Sequence, residues 1–521
     1  MPKYPCRKCG RPLIKNGRNE RGKQRWACMS EWSRGRRTFC STTTNPTSPT
    51  RKPGNASVEN AVPERTLKRS RRYIVTCAQN ATPVHLKFWK TLLVAARHLK
   101  AELVVTPLRY KNPTSTWTKS QENEETWDAR VMPYLYAQRF RLNSNLTLLA
   151  DIKVQPTAVE PLSGFQGMTS NESCILGHTK MQLLSVPTPG HKMAKILTTT
   201  GACTRANYTD TKAGATGAFH HSLAALLVEI DGTYFSIRQL HANKSTGEFT
   251  DLDTTFTTRG VRKAKRPLAV VGGDMHVDFR CRKTEQARFG RRGLVTTLRP
   301  RHFVYHDLLD AYAVNGHHVG NPFNAVAKRM TGRDDARAEM LRAIEYVQKM
   351  TPAGCKAVVV GSNHDDMLRR WIIREDWRDD PTNAEFYLET ALAMVRATRM
   401  TSTGTEYPSP LPYWGEKLAP GIKWLRGESF TLAGIELSLH GDRGPNGTRG
   451  SIRNLRRIGP KVVLGHSHSP GISEGAYQTG TGTELRAEYT GPVGSWLNAD
   501  VVIHADGKRQ LIIFVDGRYR L

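Results

Sequence analysis

No run in this sequence approaches the roughly 18 consecutive apolar residues that a membrane helix needs, and the mean hydropathy is −0.50, so a transmembrane helix is excluded. The opening Met-Pro-Lys-Tyr-Pro-Cys has no apolar segment behind its basic residues and does not read as a secretory signal. Cysteine is sparse and odd in number: nine, at 6, 9, 28, 40, 77, 174, 203, 281 and 355, which points to a reducing cytoplasm rather than a disulfide framework. There is no Gly-x4-Gly-Lys-Ser/Thr loop, against a P-loop NTPase. There is no Gly-x-Ser-x-Gly elbow either, which removes one common hydrolase class. Negative charge is also short.

Against 46 Asp and Glu stand 77 Lys and Arg, a net charge of +31 in 521 residues with a pI near 10.0. The excess is uneven: residues 1–72 hold 19 basic and 4 acidic side chains, so about half of it lies in a seventh of the chain. Such density favours a polyanion, most simply nucleic acid. A membrane surface is the rival, but no strongly amphipathic basic helix is visible there.

Within that basic front, Cys6 and Cys9 form a Cys-x2-Cys knuckle followed by Gly10, and Cys28 and Cys40 would complete a four-thiolate structural Zn²⁺ site. So short a stretch cannot build its own core, and a metal would supply its folding energy. The Cys-x2-Cys-Gly and Gly-Lys-x-Arg-Trp-x-Cys pattern resembles the zinc ribbons of transposases and phage DNA-binding proteins. It departs from them in the eleven residues between Cys28 and Cys40, where two to four are usual. Residues 43–72 then read as a flexible linker ending in Lys68-Arg69-Ser70-Arg71-Arg72, whose Arg69, Arg71 and Arg72 are candidate phosphate contacts.

Tyr73 to Cys77 reads as a buried strand, residues 85–99 as an amphipathic helix and Ala101 to Pro107 as a second strand, together a parallel βαβ unit. Residues 110–260 alternate short apolar runs with turns and read as mixed α/β structure, with room for substrate or subunit contacts. His220, His221 and His241 have no matching acidic partners and read as structural or surface residues.

From 266 onward one unit recurs: an apolar β-rich run, then abruptly Asp, Asn or His. Leu268 to Gly273 ends in Asp274-Met275-His276; Arg301 to Tyr305 in His306-Asp307-Leu-Leu-Asp310. Lys356 to Ser362 ends in Asn363-His364-Asp365, Ile435 to Leu439 in His440-Gly-Asp442, and Lys461 to Gly465 in His466-Ser-His468. In open α/β sheets ligands bind at the carboxyl ends of strands. Carboxylate, imidazole and amide oxygen without thiolate suit Mn²⁺, Fe, Mg²⁺ or Zn²⁺, and seven such groups are about right for two ions. His466 and His468, just after a glycine, could serve different ions.

The order Asp-x-His, Asp-x2-Asp, Asn-His-Asp, a lone His and Gly-His-x-His resembles the calcineurin-like metallophosphoesterase superfamily over about residues 266–521. Two departures stand out: His306 precedes Asp307 where the family has Gly, and Ser362 stretches its Gly-Asn-His. The resemblance implies that Asp274, His276 and His468 hold one ion, that Asn363, His440 and His466 hold the other, and that Asp307 bridges them. It also implies a metal-bound hydroxide attacking phosphorus in line, with His364 as general acid and a carboxylate such as Asp310 orienting its ring. Arg443, three residues after His440, is a candidate phosphate clamp.

The basic front, the Arg109-to-Ser115 segment, His306-Asp-Leu-Leu-Asp310 and Ser362-Asn-His-Asp-Asp366 are together similar to the DNA-transfer proteins of T-five-like bacteriophages. That likeness implies an early phage protein in the cytoplasm of an infected bacterium, tied to destruction of host DNA and entry of phage DNA, with DNA as the expected partner and other phage early proteins as candidate ones; the middle region, without evident chemistry, leaves room for contacts between copies of the chain.

The expected fold is therefore α/β. It comprises a zinc-ribbon-like module over 1–42, a linker over 43–72, a smaller α/β domain over 73–265, and a metallophosphoesterase β-sandwich flanked by helices over 266–521. The expected activity is a metal-dependent DNase, with Mn²⁺ the leading candidate. The alternatives are a phosphomonoesterase or protein phosphatase of the same fold, or a non-catalytic DNA-binding scaffold. A His-Asn-His nuclease built around His317, His318 and Asn321 lacks its usual metal knuckle.

Overall fold

Strict alternation along a few short strands sets the layers of this protein. The computed structural model describes residues 13–20, 22–33, 36–43, 65–115, 126–190, 192, 194–402, 404–486 and 491–521. The chain divides into two compact units, Met1–Ala61 and Val62–Leu521.

In the second unit a six-stranded sheet runs in the order Lys423–Trp424, Lys356–Val359, His302–Tyr305, Ala269–Val271, Ala499–Ile503, Arg509–Ile513. The first four strands are mutually parallel and the last two antiparallel. Parallel neighbours need crossovers, and helices supply them. Arg282–Phe289 and Leu294–Leu298 fill the first crossover and Pro322–Thr331 and Ala336–Met350 the second. Asp365–Arg374, Ala384–Ala397 and Pro410–Leu418 fill the third.

Successive side chains of these strands go to opposite faces. Val270, Phe303, Tyr305, Val359, Val502 and Ile512 pack with helical Met340, Ile344, Leu368 and Trp371. Their neighbours Ala269, Val271, Val304, Val358, Val501 and Leu511 pack with Ile435, Val463, Ile472, Leu183 and Ile196 of a second, ten-stranded sheet. That sheet joins the strands Leu146–Leu149, Ser173–Leu176, Gln182–Val186 and Lys195–Thr199 to Lys461–Leu464, Gly471–Ser473 and Ala476–Gln478. The seam is the antiparallel pairing of Ile472 with Leu183 and Ser473 with Gln182. Residues 73–265 and 266–521 thus share one sheet.

A four-stranded sheet adds to the same apolar layer. Arg72–Gln79 and Glu102–Leu108 pair in parallel across the helix Leu86–Leu99, as the βαβ reading expected. Ala224–Asp231 and Tyr234–His241 complete it as an antiparallel hairpin. The chain is docked onto this body from residue 65: Leu67 is buried in the core, Arg65 donates to the carbonyls of Leu103 and Tyr134, and Arg72 pairs with Glu229 at 3.0 Å. Arg69 and Arg71 are exposed.

The first unit contains an antiparallel sheet of Ile14–Arg18, Gln24–Ser33 and Arg36–Thr43. Its second hairpin pairs Cys28 with Ser41 and Met29 with Phe39, which leaves Cys40 in the register shift between them. Two cysteines with eleven residues between them are thereby brought to neighbouring strand positions. Their thiols, like Cys6 and Cys9, lie outside the described residues. The described cysteines Cys77, Cys174, Cys203, Cys281 and Cys355 are free thiols. No helix among the described residues is long and apolar enough to cross a membrane.

Candidate metal centre

The strand Ala269–Val271 ends in Gly272-Gly273, and Asp274 follows, completely buried. Main-chain bonds lash its loop to the next strand end: Met275, His276 and Val277 donate to the carbonyls of His306, Asp307 and Leu308 at 3.0, 2.8 and 3.0 Å. Gly465 ends the strand Lys461–Leu464 on the other sheet. A Cβ there would fall 2.4 Å from Asp274 Oδ1 and 3.2 Å from His306 Cγ, so the backbone reaches the centre only because the residue is glycine.

The seven residues read as ligands meet here. His468 Nε2 lies 3.1 Å from Asp274 Oδ2 and 3.2 Å from His276 Nε2, and His276 Nε2 lies 3.3 Å from Asp307 Oδ2. On the other side of Asp307, His440 Nε2 is 3.6 Å from the same Oδ2 and 3.1 Å from Asn363 Oδ1. Asn363 Oδ1 in turn stands 3.0 Å from His466 Nδ1. His466 and His468 do face different sub-clusters. Asp307 Oδ2 is the atom between them.

Backbone conformation marks the same place. His276, Asp307, His466 and His468 all have positive φ, at 37, 49, 74 and 57°. Non-glycine residues avoid this region, and strain of this kind persists only where the surroundings over-determine it. Four of seven candidate ligands carry it.

The electrostatics are those of a site short of positive charge. Burial would raise the Asp307 carboxyl, but His364, His276 and His440 outweigh it and hold the group well below the usual range. Asp274 is likewise lowered against its own burial by His440 and His468. Burial would lower His276 and His440, yet the carboxylates of Asp307 with Asp310, and of Asp307 with Asp274, lift both rings to about 9. Asp274 Oδ1 and Asp307 Oδ1 are buried and accept no hydrogen bond. Buried carboxylate oxygens without donors carry a steep desolvation cost, which a cation would relieve. The donor set therefore fits divalent metal. Asp274, His276, Asp307 and His468 form one buried group able to hold an ion, and Asp274, His306 and His440 a second.

His364 lies beside the centre, with Nε2 3.9 Å from Asp307 Oδ2. Its Nδ1 meets the main-chain carbonyl of Asp310 at 2.9 Å and the Asp310 carboxylate only at 3.9 Å. That carboxylate sits closer to His276 Nδ1, at 3.3 Å. Asp310 thus orients His364 through its backbone and His276 through its side chain. Arg443 is largely exposed and tied to Asp366 and Asp442 at 3.3 and 3.5 Å. Asn321 caps the helix Pro322–Thr331, and among the described residues no metal-ligand group includes His317 or His318. His221 bonds the Thr204 carbonyl and His241 the Tyr477 hydroxyl, both as structural residues.

Sequence reasoning missed the support around the centre. Arg288 and Asp500 form a fully buried pair at 2.7 Å, and Asp500 Oδ1 accepts from Gly273 N, fixing the Asp274 loop. Glu339 accepts from the backbone of Tyr312 and Ala313 just beyond Asp310, and burial lifts its carboxyl to about 7. A cleft of about 1090 Å³ opens onto His276, Asn363, His364 and His466. Its walls carry Arg280, Arg333, Arg449 and Arg486 with Phe279, Tyr312 and Trp496. None of these stands beside a strand end in the sequence, so no local pattern announces them.

Compared with known proteins, the chain is 29% identical over 478 residues to Protein A1 of Escherichia phage T5, an alignment covering 89% of this chain and 85% of that protein. It is similar to that bacteriophage protein. No family model matches the chain, and no solved structure matches it.

Proposed function

We propose that this protein is a divalent-metal-dependent phosphodiesterase of the calcineurin-like type that cleaves DNA, acting as a bacteriophage protein in the cytoplasm of an infected host. The observation that carries this is the convergence of Asp274, His276, Asp307, Asn363, His440, His466 and His468 from five strand ends onto one buried centre. Support for DNA comes from the net charge of +31 and from the arginines and aromatic rings of the cleft, which suit phosphates and bases.

Asp274, His276, His468 and Asp307 would hold one cation, and Asp307, Asn363, His440 and His466 the other. When bound, such a pair supplies Lewis acidity toward the phosphoryl oxygens and activates water. His364 has a separate part. A carbonyl can only accept, so the contact to Asp310 keeps a proton on Nδ1. In the imidazolium the second proton sits on Nε2, which delivers it to the leaving oxygen and leaves the neutral ring with its Nδ1 proton, and the fixed ring spares that step an orientational cost. The arginines of the cleft would hold flanking phosphates and keep the scissile one in register.

The test is incubation of purified protein with circular plasmid under Mn²⁺ or Mg²⁺, beside a chromogenic phosphomonoester and bis-ester. Plasmid loss abolished by chelator and by Asp307→Asn supports the proposal. Turnover of the monoester alone would favour a phosphatase, and DNA binding without cleavage under every divalent ion a scaffold.

A further inference from the structure

We propose that His306 is a positioning residue that fixes the tautomer of His440 and so tunes one of the two cation sites. The inference rests on the metal reading of the centre. His440 directs Nε2 at Asn363 Oδ1 and Asp307 Oδ2, 3.1 and 3.6 Å away. A ring nitrogen that takes a cation must be bare, so the proton of neutral His440 belongs on Nδ1, where it needs an acceptor. The side chain that Nδ1 meets is His306, whose own Nδ1 lies 3.5 Å away, at the long edge of hydrogen-bonding distance. The two rings stack at 5.7 Å between centroids with 28° between planes.

For His306 to accept at Nδ1, its proton must sit on Nε2. That atom is buried and has no hydrogen-bond partner. A side chain kept only to fill space would do better as Phe, which has no polar atom to desolvate. The retained imidazole points to use of its other nitrogen, which faces His440. Its place matters too. His306 immediately precedes Asp307, and its Cγ would lie 3.2 Å from a Cβ at Gly465, so the side chain sits against the end of the 461–464 strand.

Two other histidines of the centre, His276 and His364, are oriented by oxygen, whereas His468 Nδ1 is buried without a hydrogen-bond partner. His276 Nδ1 faces the Leu309 carbonyl at 3.1 Å and the Asp310 carboxylate at 3.3 Å, and His364 Nδ1 faces the Asp310 carbonyl at 2.9 Å. A neutral imidazole acceptor withdraws the Nδ1 proton less than a carboxylate does, so His440 is the poorer donor. With Asp307 as its one carboxylate, against Asp274 and Asp307 on the other side, and with His440 a poorer donor than His276, the Asn363–His440–His466 site is the weaker of the two and fills second.

The experiment titrates Mn²⁺ into full-length, metal-stripped protein by calorimetry and follows the spin-coupled signal of a Mn²⁺ pair by electron paramagnetic resonance. Wild type is expected to bind two ions in two steps. His306→Phe should weaken the second step by about 10- to 100-fold, as loss of an orienting partner does, spare the first and lose the coupled signal at low loading. His306→Asn, whose Oδ1 can replace the acceptor, should restore the second step to within a fewfold of wild type. If the larger ring prevents folding, His306→Leu gives the same contrast. Unchanged constants in the apolar variant, or equal losses in the apolar and Asn variants, would overturn the role of His306. Failure of wild type to bind any ion would instead overturn the reading of the centre.

Discussion

His221 and His276 are both buried histidines next to polar side chains, and the two halves of the protein use them in opposite ways. In the middle region, burial drives His178 and His221 down to about 4 and His241 to about 3, and their rings bond main-chain carbonyls or the Tyr477 hydroxyl. At the candidate metal centre the same burial is overridden by Asp274, Asp307 and Asp310, which hold His276 and His440 near 9. The lesson is that the imidazole itself says little. Carboxylates without donors, beside left-handed backbone, separate a site from a satisfied core.

The sharpest way to break this contrast is to remove the central carboxylate. Asp307→Asn should abolish paired Mn²⁺ binding and reduce plasmid cleavage to background, and it should lower the unfolding temperature without metal at neutral pH, because the depressed Asp307 carboxyl and the His276 and His440 rings it lifts stabilise the fold through their pairing. His364→Ala comes next. Loss of a general acid predicts a decrease of about 10²–10⁴-fold in plasmid cleavage, unchanged Mn²⁺ affinity, and a smaller loss on a bis-ester whose leaving group departs without a proton.

A pH series tests the charge state directly. His276 and His440 hold protons up to about pH 9, and each must surrender one to coordinate. Apparent Mn²⁺ affinity should therefore rise with pH from 6.5 to about 9 and then level, and binding at pH 7 should release protons into buffer. A flat profile would mean that the rings are neutral before metal arrives. Deleting residues 1–61 should lower DNA affinity and flatten its salt dependence by about 0.9 log units for each phosphate no longer neutralised, while turnover of a small bis-ester persists. The smallest effect belongs to the middle region. Tyr477→Phe removes the partner of His241 Nε2 and should cost about 1–3 kcal/mol of stability, read by thermal unfolding, with Mn²⁺ binding untouched.

Much of the centre was legible because each ligand sits immediately after an apolar run, and period-two burial makes such runs visible one at a time. Asp274, Asp307, Asn363, His440 and His466 could be found that way, as could the 73–107 βαβ unit. His306 was visible only as a departure from a pattern. Arg288 and Asp500 could not be found, since 212 positions separate them and neither lies in a distinctive local pattern. The sharing of one sheet by residues 182–186 and 471–473 was equally hidden, because main-chain pairing leaves no mark on side-chain type.

The order of residues by itself determined the charge, the strands and the kinds of atom offered at their ends, because composition and periodicity are local properties. Which nitrogen faces which oxygen, which histidine ends up beside a carboxylate, and which arginines line the cleft were decided only when distant strands packed. Those relations depend on distances of 3 to 4 Å between residues up to some 190 positions apart, and such distances exist only in the folded chain.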